Sequence, residues 1–530
     1  MLKVYLWENS DLDFRPSRSL VANVTGKVEG VIPGDLDYDG FLDMLVTFKR
    51  QGRKYMQVFL QSSDSFSEQS PIEIPLDSQP VALDIDGDLK LEILNNQNST
   101  VSVYKFDKTL TVNSELSAYS STEESCLSFN QFSFAYPHSI GFVDLNKDCL
   151  SDLFMTVEYE GKTFFEVWLN AKDGTYCKVL QEPAPSGTRQ VSFADLDRNG
   201  VEDIIYAVCE GEGCSEKNEI HIVYNFNEVS NDCSFSFGDL KKFELKELSL
   251  TENGKFKTIV KLEDKFFENS DFPVMVRFGD LDLDGYPDAL VTLTNSSESY
   301  VQFLRNSECS HCSVGERTLK IDSDGDLSKL QTVKGAVFGC FFDLDDKGVL
   351  DIIVVSQNET TFRVNSFYNN FQSDTFHLKA LALNGHSKGG YSSAYPGAVF
   401  MFTLTELDMN KVVMHSTQMP LTSFYALYTP YCVYGLGRTN SYIEEFYVAL
   451  PLKKNNYRAW TPIIPNSYLI ASPDKDKTED WYLELFASPT DQIGIIIGVC
   501  CGCMLLIGLI VIYNYFKEKK EDRRLFGIKF

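Results

Sequence analysis

One motif recurs six times along this chain and limits what the chain can fold into more than any other feature. Each copy has an apolar stretch, an acidic loop and a second apolar stretch. The loops begin at Asp35, Asp84, Asp144, Asp195, Asp280 and Asp343, so their starts lie 49, 60, 51, 85 and 63 residues apart. Such intervals fit a four-stranded propeller blade with its connections, and they are too long for most helical or leucine-rich repeats. The sequence therefore predicts an all-β protein organised around a β-propeller.

The apolar stretches around the loops have the composition of strands. Runs rich in β-branched and aromatic residues follow the loops, for example residues 44–48 and 204–208. Residues 4–9 look like residues 167–170 of a later repeat, but no acidic loop precedes them. We therefore expect a seven-bladed propeller over residues 1–375, with a first blade that is incomplete in this chain.

The spacing of carboxylates within each loop predicts Ca²⁺ sites in five of the six loops. Acidic residues recur at the first, third, fifth and ninth positions, and Ca²⁺ accepts six to eight oxygen ligands at about 2.3–2.6 Å. The loops lie between strands and lack the glutamate that ends an EF-hand loop, so they are not EF-hands. The alternative is a set of Asx-type turns that need no metal. The predicted ligands are Asp35, Asp37, Asp39, Asp43, Asp84, Asp86, Asp88, Glu92, Asp144, Asn146, Asp148, Asp152, Asp195, Asp197, Asn199, Asp203, Asp280, Asp282, Asp284 and Asp288.

Three loops depart from the strict pattern. Glu92 ends the second loop, whose glycine is displaced, and Cys149 stands where the third loop should have glycine. In the sixth loop Lys347 occupies a ligand position, where its ammonium could replace a metal. We therefore expect no Ca²⁺ in the sixth loop.

The loops and their flanking strands resemble those of a known family. Residues 278–291 are similar to the FG-GAP repeat of integrin alpha subunits, which form a seven-bladed propeller with Ca²⁺ in its blade loops. Segments 209–214, 435–440 and 464–470 and the apolar C-terminal stretch extend the resemblance to integrin-alpha FG-GAP repeat-containing type I membrane proteins. The resemblance implies a cell-surface ectodomain that binds a protein ligand in adhesion or immunomodulatory signalling, with no established enzymatic activity.

The C-terminal region predicts a single membrane span. Residues 493–513 are 21 residues without a charge, which at about 1.5 Å per residue cross about 30 Å of hydrocarbon. The basic tail, residues 514–530, is expected in the cytosol by the positive-inside rule. Residues 376–487 have strand-like patterns without acidic loops and predict a membrane-proximal β domain. The chain is thus predicted to be a type I membrane protein with an extracellular or lumenal ectodomain.

Cysteines and glycosylation sequons fit an oxidising compartment. Ten of the 13 cysteines precede the predicted span, and closely spaced cysteines in such a compartment predict disulfides. The predicted disulfides are Cys209–Cys214 and Cys309–Cys312, and the predicted glycosylation sites are Asn23, Asn98, Asn295 and Asn358. A translocated ectodomain needs a signal sequence, and residues 1–7 lack the required apolar core. We therefore expect the natural chain to begin upstream.

Within the predicted span, three glycines recur every four residues, at Gly494, Gly498 and Gly502. This spacing allows two helices to approach closely and predicts a possible homodimer face, although glycine is also common in spans that do not dimerise.

Charge and motif context narrow the function classes. The net charge is −27, from 75 acidic and 48 basic residues, and this argues against nucleic-acid binding because phosphates need a positive surface. Ser387 lies in a G-x-S-x-G match, but glycines and a proline follow where a hydrolase needs a helix. Cys309 and Cys312 have thioredoxin-like spacing without a βαβ context. We expect a protein that is not an enzyme, with a serine hydrolase or thiol oxidoreductase as the alternative.

Overall fold

In the computed structural model, each acidic loop joins two neighbouring hydrogen-bonded strands of one antiparallel sheet, which we call a blade and number with its loop. The structure describes residues 2–8, 13–62, 65–67, 73–97, 100–105, 113–114, 133–135, 138–170, 176–226, 257–269, 272–295, 298–310, 312, 317–322, 325–359, 361–370, 374–385, 392–421, 428–439, 441–452, 457–475, 477–487 and 493–527.

The first three blades follow a two-stranded sheet made of β1 (Leu2–Glu8) and β2 (Asp13–Ala22). Blade 1 contains β3 (Lys27–Gly34), β4 (Asp43–Arg50), β5 (Arg53–Ser62), β6 (Ser65–Ser67) and β7 (Ile74–Leu76). Blade 2 contains β8 (Val81–Leu83), β9 (Glu92–Gln97), β10 (Thr100–Lys105) and β11 (Asn113–Ser114). Blade 3 contains β12 (Ser133–Phe134), β13 (Ile140–Val143), β14 (Asp152–Tyr159), β15 (Lys162–Asn170) and β16 (Tyr176–Pro183).

The other three blades repeat this antiparallel order. Blade 4 contains β17 (Thr188–Ala194), β18 (Asp203–Glu210), β19 (Lys217–Val223) and β20 (Lys257–Lys261). Blade 5 contains β21 (Lys265–Phe266), β22 (Arg277–Gly279), β23 (Asp288–Thr294), β24 (Ser299–Glu308) and β25 (Arg317–Asp322). A 3₁₀ helix, Gly325–Thr332, leads to blade 6, which contains β26 (Ala336–Phe342), β27 (Asp351–Asn358) and β28 (Thr361–Phe367).

Consecutive blades pack face to face because the strand that follows each acidic loop is apolar on both sides. Along β14, Leu153 and Met155 pack with Leu94 of blade 2, whereas Phe154 packs with Tyr206 of blade 4. Alternate residues of a strand point to opposite faces, so a strand buried on both faces must be apolar throughout. This packing confirms the predicted all-β propeller class. The described residues contain six loop-bearing blades and the β1–β2 sheet, and the number of seven blades stays a prediction.

A β-sandwich follows the blades and starts at residue 376, where the β domain is predicted to begin. One sheet has the order β32 (Cys432–Gly437), β29 (Phe376–Ala382), β35 (Ser467–Pro473) and β36 (Trp481–Ala487). The other has the order β31 (Lys411–Gln418), β30 (Ala398–Thr405), β33 (Glu445–Ala449) and β34 (Tyr457–Trp460). Phe400, Phe402 and Phe446 fill the space between the sheets. Blades and sandwich form one compact unit that ends at Leu485.

The second unit, Phe486–Phe530, contains helix α1 (Ile493–Phe526). The most apolar 18-residue window of its stretch Ile497–Arg524 has a mean hydropathy of 2.3, and within the described part of the chain α1 is the one helix long and apolar enough to cross a membrane. The predicted span 493–513 lies within α1.

Candidate metal loops and their interface with the sandwich

All six acidic loops share a hydrogen-bond frame that turns their carboxylates inward. In loop 5, Asp280 Oδ2 accepts the backbone N–H of Gly285 at 2.8 Å, and Asp288 Oδ2 accepts that of Leu281 at 3.4 Å. The equivalent bonds recur in loops 1, 2, 3, 4 and 6. The first and last acidic residues of each loop are therefore held in place by the loop backbone.

Two residues with positive φ angles close each loop, and they explain the unusual positions of Gly87 in loop 2 and Cys149 in loop 3. In loop 5, Leu283 has φ 59° and Gly285 has φ 93°. Glycine is preferred at such positions because it has no Cβ to clash. In loop 2 the displaced glycine, Gly87, takes the earlier of the two positions with φ 70°. In loop 3, Cys149 adopts φ 65° in place of glycine, and it is disulfide-bonded.

Loops 1, 2, 4 and 5 each group carboxylates whose oxygens lie within 4.8 Å of one another. In loops 1, 4 and 5 the groups are Asp35, Asp37 and Asp39; Asp195, Asp197 and Asp203; and Asp280, Asp282 and Asp288. In loop 5, Asp282 also forms a short ion pair with Arg305. Asp35 Oδ1 and Asp282 Oδ1 are buried and accept no hydrogen bond. Hard oxygen donors of this kind suit Ca²⁺, so the residues present fit the metal that the FG-GAP resemblance implies.

Burial makes these loops costly to keep charged without a cation. Desolvation, with a contribution from neighbouring carboxylates, raises the pKa of Asp43 to about 8 and the pKa values of Asp195 and Asp288 to about 7. A bound divalent cation favours the ionised form and offsets both effects. These loops would supply carboxylate ligands, and Ca²⁺ would supply the charge that holds them together.

In loop 3, side-chain nitrogens of the protein lie against carboxylates that are predicted metal ligands. His415 Nε2 of the sandwich lies 3.1 Å from Asp144 Oδ2. Asn146 Nδ2 donates to Asp148 Oδ2 at 3.0 Å. Burial raises the pKa of Asp152 well above its usual value. The four predicted ligands are thus brought together, but two of them bond to each other.

Loop 2 holds an ammonium group that the sequence analysis did not identify. Lys105 Nζ of β10 forms a short ion pair with Asp86 and lies 3.4 Å from Glu92 and 3.8 Å from Asp88. Burial and the neighbouring carboxylates of Asp84 and Asp86 raise the pKa of Glu92 to about 8. An ammonium in this position supplies the positive charge that a metal would bring to the loop.

Loop 6 holds two ammonium groups, and the sequence analysis identified one of them. Lys347 is 63% exposed and pairs with Asp345 at 2.5 Å. Lys379 of β29 is the buried one, and its Nζ lies 2.8 Å from Asp343 Oδ2 and forms a short ion pair with Asp346. Lys379 lies outside the loop in sequence, so loop spacing could not identify it.

An asparagine at or just after the end of the second strand past the loop links neighbouring blades, and the sequence analysis missed this role. Asn306 N donates to Asp288 Oδ1 at 2.9 Å, while its Nδ2 donates to the carbonyl of Leu196 in the preceding loop at 2.9 Å. Asn225 and Asn369 make the same pair of bonds. The available signal was an asparagine 18 to 22 residues after the last aspartate of these loops.

The sandwich contacts the loop-bearing end of the blades. Asn384 Nδ2 donates to Asp35 Oδ2 at 2.8 Å, and Tyr395 Oη donates to Asp84 Oδ2 at 2.6 Å. A Cβ on Gly435 would lie 2.0 Å from Asp280 Oδ2, so only glycine fits there. The acidic loops are therefore an interface between propeller and sandwich as well as candidate metal sites.

The other predicted sites have mixed outcomes. Both predicted disulfides, Cys209–Cys214 and Cys309–Cys312, are formed. Ser387 and the sequon residue Asn98 lie outside the described residues. Three sequons are described, at Asn23, Asn295 and Asn358, and Gly494, Gly498 and Gly502 lie on α1.

Comparison with known proteins gives the family. A model of the FG-GAP-like repeat matches residues 144–206, and a model of the ITFG1, C2 domain matches residues 390–486, within the sandwich. The T-cell immunomodulatory protein of Macaca fascicularis is 32% identical over 274 residues, which cover 48% of this chain and 86% of that protein. The chain belongs to the T-cell immunomodulatory protein family. The family member of Homo sapiens is 27% identical over 99% of this chain and 86% of its own length. A homolog in Plasmodium falciparum is 27% identical over 94% of this chain and 79% of its own length.

Membership of the T-cell immunomodulatory protein family confirms the resemblance read from the acidic loops. It also assigns a separate domain type to the sandwich, which the sequence analysis described only as a β domain. A solved structure of the rhamnogalacturonan lyase YesX overlaps 64% of this chain and 72% of its own, at a TM-score of 0.28 and 12% identity, which is too low to assign a fold.

Proposed function

We propose that this chain is a single-pass type I membrane protein whose propeller, stiffened by Ca²⁺, binds a protein ligand in adhesion or immunomodulatory signalling. The burial of the acidic loops under the sandwich carries the proposal. Asp35 and Asp84 are fully buried and bonded to sandwich side chains, so a ligand cannot reach them. Ca²⁺ in such loops is structural, and the ligand must use another surface.

The end of the blades opposite the loops is the better ligand surface. β14 has eight residues that start at loop 3, so its far end lies about 25 Å away at about 3.3 Å per residue. That end is formed by hairpins. Sequon residues lie at this end in blades 1, 5 and 6. Asn295 directly follows β23, and Asn358 is the last residue of β27. In blade 1, Thr25 of the Asn23 sequon accepts a hydrogen bond from Arg50.

The hairpins of blades 3 and 4 have no sequon and are acidic. Glu158 and Glu160 are exposed in blade 3, and Glu212 and Glu216 are exposed in blade 4. The Cys209–Cys214 disulfide closes the blade 4 hairpin, which reduces the entropy lost when a partner binds. We propose a ligand with a basic face at this acidic pair of hairpins.

The role proposed here is binding and not catalysis. The two cysteines of the thiol oxidoreductase alternative, Cys309 and Cys312, are joined in a disulfide.

The test uses the full chain displayed on cells, with covalent capture of surface proteins in Ca²⁺. Reversing two charges, Glu160→Lys with Glu212→Lys, should reduce capture of the specific partner about tenfold or more, because rim charges steer and orient association. The control is Glu359→Lys on the sequon-bearing hairpin of blade 6, which should leave capture unchanged. Equal capture by the wild type and the double variant would refute this surface.

We also propose that α1 forms a homodimer through Gly494, Gly498 and Gly502, with the tail 514–530 in the cytosol. A dimer would present two propellers to a multivalent ligand and increase avidity. In a membrane-insertion dimerisation assay, Gly498→Ile should weaken self-association of α1, whereas Val499→Ile should not. Equal association of both variants would leave α1 a monomer.

A further inference from the structure

A buried arginine without a carboxylate partner lies at the start of β22. Arg277 is 7% exposed, and its guanidinium centre lies 5.2 Å from the ring centroid of Phe338. Its Nε is buried and makes no hydrogen bond. Among the described residues, no carboxylate oxygen lies within 4.0 Å of its guanidinium nitrogens. Arginine stays protonated in proteins, so a full positive charge is buried here.

Other arginines of the blades show how unusual this is. Five of them, all paired with a carboxylate, are Arg50, Arg189, Arg198, Arg305 and Arg317. Burying an ion without a partner is strongly unfavourable, because the charge loses its hydration without gaining a counter-charge. The fold therefore leaves at Arg277 a charge that a bound anion would compensate.

Arg277 opens onto a cavity between blades 4 to 6 and the sandwich. The cavity has a volume of about 160 Å³. Phe193, Phe341 and Met419 provide apolar walls. Tyr428 also lines the cavity.

The size and charge of the cavity restrict its ligand. A dry protein cavity of about 150 Å³ holds a benzene-sized molecule, so about six non-hydrogen atoms fit. Arginine pairs with a carboxylate through two parallel hydrogen bonds. Asp195, Glu202 and Asp280 line the same cavity and repel a phosphate dianion more strongly than a singly charged carboxylate.

We propose that this cavity binds a small monocarboxylate, with its carboxylate on the Arg277 guanidinium and a short apolar tail against Phe193, Phe341 and Met419. Such a ligand removes the cost of the unpaired charge and fills the apolar space. It also contacts blades and sandwich together, so its binding would hold the two parts in place.

The test uses the full chain in detergent micelles with butyrate as the probe and calorimetry as the readout. Butyramide has the same shape without the charge, and it should bind at least about tenfold more weakly. Butyrate binding should be lost in Arg277→Met, whose ligand-free melting temperature should equal or exceed that of the wild type because the unpaired charge is gone. Arg277→Lys keeps the charge without the two-pronged geometry and should bind butyrate weakly.

Three outcomes overturn the proposal: equal affinity for butyrate and butyramide, butyrate binding retained in Arg277→Met, or inorganic phosphate binding more tightly than butyrate. If Arg277→Met does not fold, the comparison of butyrate with butyramide on the wild type and on Arg277→Lys decides alone.

Discussion

Lys379 Nζ lies 2.8 Å from Asp343 Oδ2, with the lysine side chain 2% exposed and the aspartate fully buried. The lysine belongs to the sandwich and the aspartate to loop 6, so one ion pair fixes the sandwich on the last blade. The rings of Tyr431 and Tyr468 lie 3.9 Å and 4.8 Å from the same ammonium. Lys379 thus combines two functions, as the cation of loop 6 and as a contact between the two folded parts.

Lys379→Met should destabilise the protein by about 3–5 kcal/mol, because it leaves Asp343 buried without a cation. Chemical unfolding of the full chain measures the loss. Lys347→Met is the matched control, and it should change stability by less than about 0.5 kcal/mol because Lys347 is exposed. Adding Asp343→Asn to Lys379→Met should recover part of the loss, and no recovery would contradict a charge-pair role.

Lys105 should act as a built-in cation for loop 2. Lys105→Met should lower the melting temperature in chelator and restore it in Ca²⁺, because the freed carboxylates then accept the metal. Calorimetric titration of the variant should show one more Ca²⁺ site than the wild type. An unchanged number of sites would mean that the four acidic groups of loop 2 cannot hold the metal.

His138 should make the protein less stable in acid. Burial lowers its pKa to about 4, and its Nε2 lies 2.5 Å from the carbonyl of Gln79, with Lys54 as a charged neighbour. The His138 imidazole is protonated below about pH 6.5 in the unfolded chain, but only below about pH 4 in the folded chain. The neutral buried imidazole therefore costs no stability above pH 6.5, and the free energy of unfolding falls as the pH drops below that value. Between pH 7 and pH 4.5 this amounts to about 2 kcal/mol. His138→Gln should remove that part of the slope in unfolding curves, and an identical slope would contradict it.

The sequence predicts the loops well because their geometry is local. Alternating carboxylates with a glycine specify the turn within nine residues, and both disulfides join cysteines five or three residues apart. The cations of loops 2 and 6 could not be predicted in this way. Lys379 lies 36 residues from Asp343, on another domain, and only the docking of the sandwich brings the two together.

The interface between the acidic loops and the sandwich could not be predicted from the sequence either. The carboxylates looked like isolated metal ligands, yet Asp35 and Asp84 bond to side chains 349 and 311 residues away. The segment around Gly435 stood out as part of a family resemblance, and the structure supplies the reason, since a side chain there would clash with Asp280.

The most direct test of the account is thermal unfolding of the full chain in Ca²⁺ and in chelator. The acidic loops are taken to bind Ca²⁺ only in the folded state, which adds about 2.7 kcal/mol per site at a hundredfold excess over Kd. Melting should therefore move to higher temperature in Ca²⁺, and Asp282→Ala should reduce that shift while Asp345→Ala leaves it unchanged. The same melting temperature for the wild type in Ca²⁺ and in chelator would contradict the account.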